Sequence, residues 1–263
     1  MPEMMPSNLS QQEVDKFVRE ANSAISRGDL AAAHAVAERG MAAGAEHVFL
    51  LKVEALWQHE NGNYRESLRL FHHARTLTRD DPSILNGIAA CLAGMGEYEP
   101  AQKMIDAALE LAPNAAAIHY LRGWICEATR DFAGARQAYE RAVSLTPNYP
   151  EALGGLASVA AHTRDYSAAR SSALRALALN PREPSAIVAL AAAEVGSDEA
   201  PAAEARLQAL ISGITKPDRT KVRALDVLAA ALEAQGRIPE AEAARRERDE
   251  ELRRIATPAP AGA

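Results

Sequence analysis

The chain has 263 residues, of which 48% are hydrophobic and only 5% aromatic, and its formal net charge is −6. This acidic balance argues against a nucleic acid partner, because phosphate backbones are bound through Lys and Arg. The two cysteines, Cys91 and Cys126, lie outside any CxxC motif or Cys/His cluster, which predicts two buried thiols in a reducing compartment rather than a disulfide framework or zinc site.

The N-terminal segment, residues 1–9, predicts a flexible lead-in to the first helix. It lacks the basic and apolar regions of a secretory signal, and no stretch of the chain approaches 18 apolar residues. We therefore expect a cytoplasmic protein without a membrane partner. Ser10 and Glu13 fit the S-x-x-E capping box, which predicts a helix from about Gln11.

A 34-residue period runs through most of the chain. Two tandem copies, residues 82–115 and 116–149, show it most clearly, and Pro113, Pro147 and Pro181 close successive copies at the same spacing. Counting in both directions predicts repeats that start near residues 14, 48, 82, 116, 150, 184 and 222, the last after four extra residues in 211–220. A turn signal near the middle of each repeat predicts a pair of helices.

Two positions of each repeat carry only small residues. Two helices can approach closely only where neither has a large side chain, so these positions predict the contact line within each hairpin. In the first helix the position is held by Ala21, Ala55, Ala89, Gly123, Ala157 and Ala191. In the second helix it is held by Ala33, Ser67, Ala101, Ala135, Ala169 and Ala203.

The turn between the two helices also repeats in the first five copies. Gly28, Gly62 and Gly96 can supply a left-handed C-cap to the first helix, while Arg130 and Arg164 stand in that position in the next two. The following residue is Asp, Asn or Glu, and Asp or Asn can N-cap the second helix. A large residue comes next and predicts a packed column made of Leu30, Tyr64, Tyr98, Phe132 and Tyr166.

Three charged residues occupy a first-helix position that is often apolar: Glu20, Glu54 and Arg122. We expect them at the edge of the stack, where their stems cover apolar surface. Near the C-terminus, the sequence EAEAARRERDEELRR predicts a polar helix that caps the array. Residues 256–263 predict a disordered tail.

These repeats resemble the tetratricopeptide repeat (TPR) family. Ala89, Ala101, Ile105 and Ala108 match positions of the family's motif in one copy, with Pro113 as the closing proline. The resemblance implies an all-α helix-turn-helix solenoid, a right-handed superhelix of about seven repeats with a polar C-terminal capping helix, extending over residues 10–255. It also implies a scaffold without catalysis of its own that binds a protein or peptide in a concave groove.

The resemblance also predicts which residues line that groove. In the TPR fold, positions 2, 5, 9 and 12 of each first helix lie on one helical face and line the inner surface. Together with one neighbouring residue, they predict a partner-binding groove of Phe49, Lys52, Leu56, His59, Asn86, Tyr120, Trp124, Glu127, Ser158 and His162. Trp124 is the expected hot spot. The alternative is that its ring packs against a neighbouring first helix.

The sequence offers no pattern for chemistry. It contains no Gly-rich phosphate loop, HExxH or GxSxG motif. His72 and His73 are adjacent, so their side chains diverge on a helix and do not predict a metal pair. The acidic residues single out no general acid and base. We therefore expect no enzyme activity, no catalytic residue, no metal and no cofactor.

Narrower roles stay open at this point. The stretches 47–64 and 118–145 are similar to the TPR region that precedes a sulfotransferase domain in some bacterial proteins, which implies an accessory region of such an enzyme. A further alternative is an assembly or secretion factor, as for TPR proteins in pilus biogenesis. The Lys/Asn clamp of chaperone-tail receptors is incomplete, because Lys52 and Leu56 are followed by Gly87 where the clamp needs two Asn residues.

Overall fold

A computed structural model describes residues 9–216 and 218–256, which form fourteen α-helices and no strand. The all-α fold class is therefore confirmed. The helices are α1 (Gln11–Ser26), α2 (Leu30–Ala42), α3 (Val48–Glu60), α4 (Tyr64–Leu77), α5 (Pro82–Gly94), α6 (Tyr98–Leu111), α7 (Ala116–Ala128), α8 (Phe132–Leu145), α9 (Pro150–His162), α10 (Tyr166–Leu179), α11 (Pro184–Val195), α12 (Ala200–Gly213), α13 (Arg219–Ala234) and α14 (Ile238–Ala256). The predictions for residues 1–8 and 257–263 lie outside the described residues.

The chain divides into two compact units, Met1–Leu121 (unit 1) and Arg122–Ala263 (unit 2). Odd-numbered helices are the first helices of the repeats and even-numbered helices the second. In unit 1, α3 packs against α1, α2, α4 and α5. In unit 2, α11 packs against α9, α10, α12 and α13. Each unit thus buries its apolar residues between successive hairpins. The single solenoid and its right-handed superhelix stay predictions.

Five first helices begin at the residue that the 34-residue period predicts, namely residues 48, 82, 116, 150 and 184. The first and the last begin three residues earlier, at Gln11 and Arg219, because a polar N-cap precedes each of them. The backbone N–H of Ser10 donates to Glu13 Oε2 (2.8 Å), as the capping box requires. The side chain of Asp218 accepts from the backbone N–H of Thr220.

The turns keep one backbone geometry although their residues differ. Gly28, Gly62 and Gly96 have φ values of 73°, 78° and 83°, and Arg130 and Arg164 adopt 63° and 61° at the same position. This position of the repeat thus requires a left-handed backbone conformation, whether the residue is glycine or arginine.

The N-caps of the second helices divide by residue type. Asp29, Asp131 and Asp165 each accept a hydrogen bond from a backbone N–H in the first turn. The side chain of Asn63 makes no cap hydrogen bond, because its amide instead donates to Gln58 Oε1 (2.8 Å). The N-cap role therefore falls to Asp alone among these turns.

The small positions are the buried contact line of each hairpin. Every alanine at these positions is fully buried, and so is Ser67. The hydroxyl of Ser67 donates to the carbonyl of Ala55, the small residue of the facing helix (2.7 Å). Cys91 in turn donates to Ser67 Oγ (3.1 Å), and burial raises the pKa of the Cys91 thiol. These contacts match the close approach predicted from the sequence.

Glycines in the first helices make room for the aromatic rings of the second helices. In unit 2, a Cβ on Gly123 would lie 2.6 Å from the ring of Tyr139, and a Cβ on Gly155 would lie 2.5 Å from it. In unit 1, a Cβ on Gly87 would lie 2.3 Å from the ring of Phe71. The spacing between ring and glycine is 16 residues in each case, so glycine stands where an aromatic ring needs its space.

The large residues at the start of the second helices also pack with a constant spacing. The ring of Tyr166 lies against Gly196, and the ring of Phe132 stacks on His162 with centroids 5.2 Å apart. Tyr64 lies against Gly94 in the same way. Each of these rings contacts the end of the next first helix, 30 residues further along the chain.

The prediction that Glu54 lies at the edge of the stack is wrong. Its carboxylate is buried between α2 and α3, where it contacts His34 Nδ1 (2.6 Å) and accepts from Gln58 Nε2 (2.8 Å). His34 also stacks on Trp57, with ring centroids 4.5 Å apart. A buried carboxylate needs such partners. Glu20, by contrast, is exposed, as expected.

The polar C-terminal helix α14 packs on α13 through the buried Ala241 and Ala244 and through charged groups. Arg248 donates to Asp226 (2.6 Å), and Arg245 pairs with Glu233 (2.6 Å). Glu251 is buried and accepts from the backbone N–H of Asp218, just before α13 (3.0 Å). Arg245 and Arg248 therefore join α14 to α13.

Candidate functional site

The residues predicted to line an inner groove fall into both units. Unit 1 contains Phe49, Lys52, Leu56, His59, Asn86 and Tyr120, and unit 2 contains Trp124, Glu127, Ser158 and His162. Each set is described by itself below.

In unit 1, Leu56 offers the exposed apolar surface. Its side chain is 44% exposed although it lies in the middle of α3. Phe49 lies about two turns earlier on the same face of α3. It is half-buried and packs against the core that involves the first two helices. His59 meets the edge of the Tyr64 ring, with centroids 5.2 Å apart. This face of α3 therefore combines one exposed aliphatic side chain with two rings held by neighbours.

The positively charged residue predicted for this face, Lys52, is held by hydrogen bonds within the protein. Its ammonium donates to Asp81 Oδ2 (3.0 Å) and to the hydroxyl of Ser83, at the start of α5. The Ser83 hydroxyl donates in turn to Asp81 Oδ1 (2.6 Å). Burial by itself would raise the pKa of Asp81, but hydrogen bonds from Ser83 and Lys52 outweigh it and hold this pKa below its ordinary value. Lys52 thus joins neighbouring repeats.

Asn86 and Tyr120 complete the predicted residues of unit 1. Both side chains are half-buried. Asn86 Oδ1 is the one buried side-chain N or O atom without a hydrogen-bond partner among the described residues. Tyr120 lies on α7, one residue before unit 1 ends.

In unit 2, two predicted residues meet in a hydrogen-bonded network. The hydroxyl of Ser158, in the middle of α9, donates to Glu127 Oε1 (2.5 Å). The hydroxyl of Tyr139, from α8, donates to Glu127 Oε2 (2.9 Å). Ser158 and Tyr139 are each 1% exposed. The Glu127 carboxylate at the end of α7 therefore receives a hydroxyl on each of its oxygens, which is how a largely buried carboxylate is stabilised.

The network contains a residue that the sequence reasoning missed, Arg223. Its guanidinium Nη2 donates to Ser158 Oγ (2.5 Å) and lies 3.6 Å from Glu127 Oε1. Arg223 is at position 2 of the last repeat, one of the inner-face positions. The same position rule, extended to α13, selects this residue from the sequence.

The other two predicted residues of unit 2 flank this network. The Nδ1–H of His162 donates to the Ser158 carbonyl (2.8 Å), one turn earlier on α9. Trp124 is half-buried and lies three residues before Glu127 on α7. We call Trp124, Glu127, Ser158, His162 and Arg223 the inner-face cluster of unit 2.

This cluster is suited to binding rather than to bond making. The Ser158 hydroxyl is buried, and its proton points to Glu127, so it is not presented to a substrate. The Arg223 side chain is 34% exposed, and its guanidinium has five N–H donors, of which one on Nη2 is held by Ser158. An arginine so held offers a fixed fork to an acceptor group of a ligand.

The described residues also bear on metal binding and membrane insertion. They contain no group of three or more His, Cys, Asp or Glu side chains that could hold a metal ion. In the same residues, the helices are too short or too polar for any of them to cross a membrane.

Comparisons with known proteins now add to this geometry. Residues 92–150 and 128–184 match the family model described as tetratricopeptide repeat. No curated protein sequence matches the chain significantly.

Several solved structures share the fold. A tetratricopeptide repeat protein from Parabacteroides merdae ATCC 43184 is 16% identical, with a TM-score of 0.60 over 91% of this chain and 93% of that one. PilW, described as a widely conserved type IV pilus biogenesis factor, is 18% identical, with a TM-score of 0.61 over 80% and 98%. A thermophilic TPR protein from Thermus thermophilus is 20% identical, with a TM-score of 0.60 over 69% and 99%. Identities this low compare the fold and not the partner.

Proposed function

Because residues 92–184 match the tetratricopeptide repeat family model and the chain has the fold of solved TPR proteins, we propose that it is a protein-interaction scaffold. TPR proteins commonly bind other proteins. The ligand in this proposal is a peptide or protein segment held on the inner face of the first helices. No catalysis by the chain itself is part of the proposal.

One observation carries the proposal for unit 2. Inner-face positions on three different first helices supply Glu127, Ser158 and Arg223, whose side chains are joined by hydrogen bonds and one ion pair. Side chains from three first helices that meet in one network can hold an extended or helical segment. Trp124 supplies an aromatic anchor beside it, and aromatic and Arg side chains dominate binding hot spots.

The inner-face residues of unit 1 form a second part of the proposal. Leu56 supplies exposed apolar area, and His59 and Asn86 supply polar atoms. We propose that Phe49, Lys52 and Tyr120 frame this surface.

The test begins with peptides selected against the immobilised protein from a displayed random library. Trp124→Ala should weaken the selected peptides by about thirtyfold or more, the effect of losing a hot-spot aromatic. Arg223→Gln should weaken those that contain an acidic residue. Titration calorimetry measures both effects, and far-UV circular dichroism verifies that each variant keeps its helices.

The control is Arg136→Ala, an exposed position on the second helix α8. It should leave the affinities unchanged. The proposal fails if the selected peptides bind Trp124→Ala as they bind the parent protein. It also fails if Trp124→Ala has lost its helical structure, because Trp124 is then a packing residue.

Two narrower roles are weaker candidates. An assembly role is suggested by the likeness to PilW, which is named as a pilus biogenesis factor, but at 18% identity this likeness concerns the fold. The role as an accessory region of a sulfotransferase stays a hypothesis from sequence resemblance alone.

A further inference from the structure

A basic, solvent-open cavity lies at the C-terminal end of the second helix α4, and none of the residues that line it belongs to a first helix. It has a volume of about 640 Å³ and is lined by His72, Arg75, Thr76, Arg79 and Asp80. All five residues belong to unit 1 and are exposed. Two guanidinium groups and one imidazole thus share the cavity with a single carboxylate.

The three repeats that follow lack both arginines. At the position of Arg75, the next three repeats carry apolar residues, namely Leu109, Val143 and Leu177. Val143 and Leu177 pack against the buried core of unit 2. At the position of Arg79, the same repeats carry Pro113, Pro147 and Pro181. Repeat 2 therefore has two cations where later repeats have a packed apolar side chain and a proline.

The two arginines are not neutralised by neighbours in the part of the chain that the structure describes. On the same helix, Arg69 pairs with Glu66 (2.6 Å), and His73 pairs with Glu46 (2.8 Å). No such ion pair is found for Arg75 or Arg79 among the described residues. An Arg in the last turn does stabilise a helix through its dipole. That role explains Arg75 but neither Arg79, beyond the end of α4, nor the cavity between them.

The charge of the whole unit decides between kinds of anion. Unit 1 contains 10 Lys and Arg and 16 Asp and Glu, a net charge of −6 with His neutral. A long polyanion such as a nucleic acid extends over more of this acidic surface and is repelled by it, whereas the carboxylates of a short acidic segment in the cavity lie within a Debye length, about 8 Å, of the guanidiniums. Guanidinium groups bind carboxylates in a bidentate manner.

We propose that this cavity binds the carboxylate side chains of a short acidic segment of a partner protein, and that Arg75 and Arg79 donate hydrogen bonds to those carboxylates. His72 and Thr76 line the cavity beside them and supply further polar atoms. None of the residues that line this cavity belongs to the inner-face cluster of unit 2, so the two proposals can fail independently.

The experiment uses a fluorescein-labelled, capped hexaglutamate peptide and the full chain at low salt, with fluorescence anisotropy as the readout. Arg75→Gln together with Arg79→Gln should weaken binding at least about tenfold, since two charge-assisted hydrogen-bonding groups are lost. Arg75→Lys with Arg79→Lys should keep part of the affinity, because charge remains without the guanidinium fork.

The matched control is Arg19→Gln together with Arg65→Gln, which removes the same charge from exposed positions of the same unit. It should change the affinity less than twofold. Equal losses in both double variants would overturn the proposal, because binding would then follow net charge alone. Tighter binding of a labelled hexathymidylate than of hexaglutamate, with loss in the Arg75 and Arg79 variant, would also overturn the assignment to an acidic protein segment. A melting curve for each variant ensures that every comparison is made between folded proteins.

Discussion

The two units solve the same packing problem but differ in their charge. Unit 1 has a net charge of −6, whereas unit 2 has 19 basic and 19 acidic residues and is neutral with His uncharged. Both bury a line of alanines within each hairpin, and both place an aromatic ring against a glycine 16 residues away. The fold therefore fixes the small and aromatic positions and leaves the charged ones to vary.

The inner faces show what this freedom allows. In unit 1, Lys52 contacts Ser83, and in unit 2, Glu127 contacts Ser158, with a spacing of 31 residues in both cases. The same spacing thus joins neighbouring first helices through a basic residue in unit 1 and through an acidic residue in unit 2. In unit 2, Arg223 extends the connection over 65 residues to a third first helix. Binding in unit 2 is therefore expected to involve a preorganised network, and in unit 1 mainly apolar surface.

The largest expected effects test the feature that the units share. Ala101→Leu in unit 1 and Ala135→Leu in unit 2 each add three carbons at a fully buried contact line. Each should cost about 3 kcal/mol, because overpacking moves the helices of the hairpin apart. Urea unfolding followed by circular dichroism measures the loss, which should extend to neighbouring repeats. An unchanged midpoint for either variant would show that the alanine is not at the helix contact.

A somewhat smaller effect tests the pairing of rings with glycines. Gly87→Ala places a methyl group against Phe71, and Gly155→Ala places one against Tyr139. Each should cost about 2 kcal/mol, less than the alanine replacements, because a single carbon is added. The measurement is again urea unfolding.

A second substitution sharpens this test in unit 2. Ile105 naturally occupies the position of Tyr139 one repeat earlier, so Tyr139→Ile provides a smaller side chain that the fold accepts. Gly155→Ala should cost less in the Tyr139→Ile background, with a coupling of about 1 kcal/mol. Additive costs in the double variant would mean that the ring does not cause the clash.

Much of the fold could be predicted from the sequence because its determinants are local. Proline at the first turn places the starts of α5, α9 and α11, and the period then gives α3 and α7. The start of α1 at Gln11 follows from the capping box of Ser10 and Glu13 and not from the period, whereas the start of α13 depends on the cap Asp218, which the period does not contain. The burial of Glu54 was not predicted because it requires His34 from another helix. A comparison of one position across the repeats gives no information on such a partner.

The candidate site could be predicted only in part, for a similar reason. The inner-face rule selected Glu127 and Ser158, which the structure joins directly. Nothing in the rule states that Lys52 meets Asp81, since Asp81 precedes α5 and belongs to no inner-face position. The assignment of the groove residues to partner binding stays a prediction. The basic cavity at α4 was not predicted from the sequence. Its signal there is that Arg75 and Arg79 stand where the next three repeats have apolar residues and prolines.

The smallest effects concern a pair of helix N-caps that differ between the units. Asp81 precedes α5, and three repeats later Glu183 precedes α11, each with its carboxylate accepting from the backbone N–H of a serine two residues on. Lys52 contacts Asp81, but the equivalent position beside Glu183 is Gly154. Burial therefore raises the pKa of Glu183, and the charge of Glu151 adds to it, whereas donors hold the pKa of Asp81 down.

The two carboxyls should consequently change stability in opposite directions with pH. The lowered pKa of Asp81 means that its charged form stabilises the fold at pH above about 4, the unfolded value, and that this is lost as pH falls through the folded pKa. The raised pKa of Glu183 means that its protonated form stabilises the fold below about pH 4. That contribution is lost as pH rises through the folded pKa.

Asp81→Asn and Glu183→Gln test this difference, because each keeps an oxygen acceptor for the cap and removes only the charge. At pH 7, Asp81→Asn should be less stable than the parent protein by about 0.5 kcal/mol, the scale of a partly exposed ion pair. Glu183→Gln should be slightly more stable than the parent at pH 7 and equal to it near pH 4. Urea unfolding across this range measures both differences, and carboxyl ¹³C titration gives the two pKa values directly. If Glu183→Gln is less stable than the parent at pH 7, the charged form of Glu183 is stabilised in the fold, and burial is not the dominant influence on its pKa.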